Sequence, residues 1–162
     1  MYTGTCGYIT SMHLAAAFGF TESAGRMISN SIAPNVPNDK GETPIHLAAM
    51  NNQLEMVQLL ITGNPNSQDN WGLTPIHEAA KRGYLEIVRL LITATDNPNS
   101  QTNVGETPIH LAARTVHLEI VRLLITSTNN PNVPNSLGWT PIHQAAKRGY
   151  LGDNSIIDDC NQ

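Results

Sequence analysis

The residues of this 162-residue chain that could ligate a metal or move a proton are its six histidines, its two cysteines and a scatter of carboxylates. Five histidines, His13, His46, His77, His110 and His143, are separated by 33, 31, 33 and 33 positions. Metal ligands fold onto one common centre, whereas even spacing puts each ring in the same slot of successive units. A structural role is therefore expected for these five. His117 fills a turn position that Tyr84 and Tyr150 occupy elsewhere, which favours packing over ligation. Cys6 and Cys160 lie one near each end and form neither a CxxC pair nor a disulfide framework. Glu55, Glu86 and Glu119 recur at one position of the repeat and do not make a paired-acid constellation. No GxxxxGK, HExxH or GxSxG motif occurs. The reading is of a chain with no catalytic residue, no metal site and no cofactor, and not of an enzyme.

The elements that position these residues follow from the repeat. Thr43-Pro44-Ile45-His46-Leu47-Ala48-Ala49 returns at 74–80, 107–113 and 140–146, and in weaker form at 10–16. Thr before Pro predicts a helix start, because the hydroxyl satisfies an orphan N–H and Pro at the first helical position loses no hydrogen bond. The Ala-Ala pair lets neighbouring units approach closely. Arg82-Gly83-Tyr84 predicts a left-handed turn, and Leu85 to Ile92 a second helix with apolar residues at 85, 88, 91 and 92, widened by Ile87 and Leu90. About ten polar residues then lead to the next unit, with Asn97-Pro98-Asn99 and Gly105 as punctuation. The 31-residue spacing comes from a loop two residues shorter at 61–66.

These residues resemble the ankyrin repeat across roughly Thr10 to Leu151, including Gly41, Gly72, Gly105 and Gly138 two residues before each Thr. The resemblance implies an all-α repeat fold, an ankyrin-type solenoid of stacked helix-turn-helix units joined by extended or hairpin loops. It implies a degenerate first repeat at 10–42, repeats at 43–73, 74–106 and 107–139, and a truncated one at 140–151, with tails at 1–9 and 152–162. It also implies that the repeated His bonds the capping Thr and the next turn. Where the family usually has Ala-Asp-Val-Asn, this chain carries Asn-Pro-Asn, which puts regular hairpin pairing in doubt.

In function, the resemblance implies a protein-binding module without catalysis. Carried over position by position, its contact residues fall at the loop tips, Lys40, Trp71, Leu73, Leu137 and Trp139 among them, with Val104 and Glu106 beside them, and on the first helices at Lys81, Arg82, Arg114, Lys147 and Arg148. Trp71 and Trp139 are the sharpest candidates, since Trp is enriched in interface hot spots. The cations fall at equivalent helix ends, so stacking is expected to align them into a basic strip facing a partner segment with acidic and apolar residues. Asn35, Asn66, Asn99 and Asn132 stand where ankyrin proteins are modified by asparaginyl hydroxylases, although Pro replaces the usual preceding Val at all four.

A net charge of −4 without runs of like charge argues against a general nucleic-acid binder. No stretch approaches the roughly 20 apolar residues that span a bilayer, and the first residues lack a basic, then apolar, signal pattern. An intracellular monomer, cytoplasmic or nuclear, is expected. The polar register at 21–28 reads as a capping unit. After Leu151 the repeat register breaks, which reads as a truncated or alternatively spliced array. The alternative function is thus the partner-selecting arm of a larger ankyrin-bearing kinase, ubiquitin-ligase subunit or channel.

Overall fold

A computed structural model describes residues 9–147, and within them the secondary structure is helical, with no strand. Eight of the described helices come in four pairs, and α9 opens a fifth unit. The first of each unit are α1 (Ser11–Phe18), α3 (Pro44–Met50), α5 (Pro75–Arg82), α7 (Pro108–Thr115) and α9 (Pro141–Lys147). The second are α2 (Thr21–Ser29), α4 (Leu54–Leu60), α6 (Leu85–Ala94) and α8 (Leu118–Thr126). α1, α3, α5, α7 and α9 pack side by side in one row, and α2, α4, α6 and α8 in a second row behind it.

Each helix of the first row starts as its sequence dictates. Thr10, Thr43, Thr74 and Thr107 sit in extended conformation as N-caps, and the His three residues on closes a reciprocal capping box. Pro44, Pro75 and Pro108 open their helices at no hydrogen-bond cost. Gly19 and Gly83 end α1 and α5 in the left-handed region. At Gly83 the need for glycine is double: φ is +84°, and a Cβ would meet the His117 ring at 2.6 Å. His117 is thereby a packing residue of the turn.

α7 breaks this rule, because Val116 holds the same left-handed cap at φ 66°. A β-branched residue there carries strain of roughly 1–3 kcal/mol. Val116→Gly is expected to raise stability by about 1 kcal/mol, the relief of strain being partly offset by the entropy glycine loses on folding; urea unfolding followed by circular dichroism checks it, and an unchanged midpoint refutes it.

Between the rows lies one continuous core. Ala48, Ala49, Ala79, Ala80, Ala112 and Ala113 are buried, which lets adjacent first-row helices approach closely, and Ile45, Ile76 and Ile109 fill the space they leave. The second row contributes Met56, Val57 and Leu60, then Ile87, Val88 and Leu91, then Ile120, Val121 and Leu124. In α6 the buried stripe is Ile87, Val88 and Leu91, while Leu85, Leu90 and Ile92 pack half-buried at its edges. At the front unit only Ala24 of α2 is buried, whereas Leu14 and Phe18 of α1 and the following Phe20 stand exposed, the two Phe rings stacked at 5.9 Å.

The connections between units are tight turns that stack on one another. In each, a backbone bond closes onto a glycine, as from Gly72 N–H to Asp69 O at 3.0 Å and Gly105 N–H to Thr102 O at 2.8 Å. Asn38, Asp69 and Asn135 turn a side-chain oxygen inward to accept two backbone N–H groups each. Successive tips are then joined: Asn70 N–H to Lys40 O, Asn103 N–H to Trp71 O, and Ser136 N–H to Val104 O, at 2.9 to 3.0 Å. Gly72 must be glycine for this, since a Cβ would lie 2.7 Å from the Asn103 nitrogen. The tips therefore pair through one backbone bond each, backed by the Asn70 amide donating to Asp39 O and the Asn103 amide donating to Asn70 O, rather than through hairpin strands. Residues 148–162, with Arg148 and the register break after Leu151, lie outside the described residues, as do residues 1–8.

Candidate functional site

The repeated histidines are the buried polar spine of the stack. The Thr43 N–H donates to His46 Nδ1 at 3.1 Å, so the ring proton sits on Nε2, which donates to Leu73 O at 3.0 Å in the turn that leads to the next unit. The same arrangement links His13 to Glu42 O, His77 to Glu106 O and His110 to Trp139 O, at 3.0, 3.2 and 2.8 Å. Both ring nitrogens are occupied, which leaves none to ligate a metal. Among the described residues no three His, Cys, Asp or Glu side chains gather as a metal-ligand group. Burial holds the pKa values of His46, His77 and His110 below the ordinary imidazole range, His77 to about 4.

The face made by the first-row helices and the turn tips carries the candidate binding residues, and stacking gathers most of them into two adjoining clefts. One, of about 240 Å³, is lined by Trp71, Leu73, Lys81, Leu111 and Arg114, with Thr102 and Asn103 behind. The other, of about 500 Å³, is lined by Leu137, Trp139, Gln144, Lys147 and Arg114, with Asn135 and Ser136. Val104, Glu106 and Arg114 belong to both and form the partition between them. Along the rim the tip side chains Trp71, Val104 and Leu137 are 54%, 57% and 78% exposed. Three apolar tips in consecutive units form an open row without any packing duty in the core.

The expected basic strip is interrupted. Arg82 is held by Glu78 at 3.3 Å and lines neither cleft, and Arg114 is held by Glu106 at 2.6 Å. Gln144 adds a bond to the same Glu106 oxygen at 3.4 Å. Pairing neutralises these two cations, so the cationic groups that remain at the clefts are Lys81 and Lys147. Lys81 has no acid bonded to it among the described residues, and the Lys147 ammonium lies 4.5 Å from the centre of the half-buried Trp139 ring. Lys40 is exposed on its tip and lines neither cleft; its carbonyl carries the bond from Asn70.

Leu111 and Gln144 are cleft residues that sequence reasoning missed. Both directly follow the repeated His, at the position where successive units carry Leu14, Leu47, Glu78, Leu111 and Gln144. Variation in polarity beside an unvarying His is the signal that could have found them. Polar residues also fill the opposite ends of the loops: Asn66 Oδ1 accepts the Thr95 hydroxyl and the Asn99 amide donates to Asn130 O at 2.8 Å, each reaching the next unit. Asn35 presses on Gly63 of the shortened loop, where a Cβ would meet its amide. Asn99 is buried and Asn35 and Asn132 half-buried, while Asn66 is exposed.

A family model described as ankyrin repeats, in three copies, matches residues 12–102 and 92–155. Among curated proteins, the neurogenic locus notch homolog protein 1 of Xenopus tropicalis is 36% identical over 52 residues, which are 32% of this chain. The chain spans 2% of the length of that relative. No helix of the described residues is long and apolar enough to cross a membrane.

Proposed function

This chain belongs to the ankyrin-repeat family, whose members are generally protein–protein interaction modules, and from that premise we propose that it is an intracellular adaptor. In this reading it holds a segment of a partner protein at the two joined clefts of its first-row face. The observation that carries the reading is the open row Trp71, Val104 and Leu137 above clefts walled by Leu73, Leu111 and Trp139. Large apolar groups at loop tips contribute nothing to the core, and a binding role accounts for them. Lys81 and Lys147 add the charge that favours a partner with acidic residues among its apolar ones. No step of this function breaks or forms a covalent bond.

Capture of a partner by the intact chain is expected to weaken at least tenfold, about 1.4 kcal/mol, in the Trp71→Ala, Trp139→Ala double variant. The helical circular dichroism is expected to persist, since neither ring is part of the buried core. Titration calorimetry with the captured partner measures the change; unaltered affinity in a folded double variant removes these clefts as the binding site.

A further inference from the structure

Two clefts one unit apart impose a spacing on whatever fills them. Adjacent packed helices stand about 8–10 Å apart, so the apolar slots beside Trp71 and beside Trp139 are separated by about one such distance. The charged part of the partition is already satisfied: the Glu106 carboxylate is bonded by Arg114 and Gln144 and its side chain is 15% exposed. An occupant gains little by touching this charged pair. It gains by placing one apolar side chain on either side and carboxylates near Lys81 and Lys147.

Resting on the adaptor reading above, we infer that the clefts accept a polyproline-II-type segment of a partner protein. It carries two apolar residues three positions apart, with acidic residues between and beside them. A polyproline-II chain returns a side chain to the same face every three residues, or about 9 Å, which matches the unit spacing. A helix spans the same distance in seven residues, about 10.5 Å, but lowers its i+3 or i+4 side chain midway, onto the Glu106–Arg114 wall. The smaller cleft, about 240 Å³, takes the aliphatic anchor and the larger, about 500 Å³, the aromatic one. Aromatic-lined grooves and preformed extended segments suit each other because little ordering entropy is lost.

The two tryptophans of the chain stand one in each cleft, so each reports its own. Trp139→Phe leaves Trp71 as the sole tryptophan and Trp71→Phe leaves Trp139, each read by excitation beyond the tyrosine band. The probes are the acetylated, amidated peptides Glu-Leu-Pro-Glu-Phe-Glu and its reversed order Glu-Phe-Pro-Glu-Leu-Glu. Each is compared with a version carrying one extra proline between the anchors, and with an alanine-based helical peptide whose Leu and Phe are seven apart. One of the hexapeptides is expected to shift both reporters at the same concentration and to bind about tenfold tighter than its lengthened version. Lys81→Glu with Lys147→Glu is expected to weaken it severalfold, with affinity falling as salt rises. Tighter binding of the helical peptide, or indifference to spacing, overturns the inference while leaving the adaptor reading intact. Silence of both reporters toward every peptide also overturns it, and the capture assay above then decides the adaptor reading separately.

Discussion

Lowering the pH from 7.5 to 4.5 is expected to remove roughly 2–3 kcal/mol of folding stability through His77 alone. The imidazole of His77 is fully buried, its Nδ1 accepts the Thr74 N–H at 3.1 Å, and its Nε2–H donates to Glu106 O at 3.2 Å. Protonation would place a second proton where a donor already points, inside a desolvated slot flanked by the equivalent rings of His46 and His110. Desolvation by burial accordingly lowers its pKa from 6.5 to about 4. With the folded value depressed, the unfolded chain binds more protons between these two values. The contribution of His77 is thus full above pH 6.5 and is lost as pH falls toward 4. His46 and His110 are shifted in the same direction and add to the loss. Urea unfolding at half-unit pH intervals measures it, with His77→Gln as the reference whose stability difference from the parent narrows as pH falls. A midpoint constant between pH 7.5 and 4.5 would contradict this.

Interactions that close within a few residues are legible in the amino-acid sequence. Thr-Pro-x-His specifies its own N-cap, and the capping box it forms joins residues only three apart. Gly83 announces a left-handed cap, but nothing in Arg114-Thr115-Val116 announces that a β-branched residue occupies the same geometry. The interruption of the basic strip has a related cause. Glu78 and Arg82 are four apart on one helix, a pairing that sequence can reveal, whereas Glu106 and Arg114 meet across the junction of a turn and a helix, eight residues apart. The cleft wall is hidden further still. Trp71 and Arg114 share a cleft only because two units stack, and Gln144 reaches Glu106 over 38 residues. At the front, the polar character of 21–28 describes α2, while the apolar side chains Leu14, Phe18 and Phe20 stand exposed beside it. Among the described residues α1 has one neighbour in its row, α3.

Leu91→Ala is expected to cost about 3 kcal/mol, more than a like truncation elsewhere on α6. Leu91 is fully buried, and its equivalents Leu60 and Leu124 are buried as well, in the adjoining helices α4 and α8. Truncation removes the methyl groups that fill this central position, and α6, held between α4 and α8 and against α5, cannot easily collapse into the void. Leu90, one residue earlier and half-buried, is expected to cost only about 1 kcal/mol when truncated, because its loss opens no closed cavity. In a linear stack each unit is stabilised by its neighbours, so damage at the middle also weakens the coupling of the front units to the rear ones. The urea transition of the Leu91 variant is therefore expected to broaden, with a lower slope m as well as a lower midpoint. A loss under about 1 kcal/mol with unchanged slope would mean that α4, α6 and α8 are not the elements transmitting stability along the array, and that the His-bridged first row carries that coupling by itself.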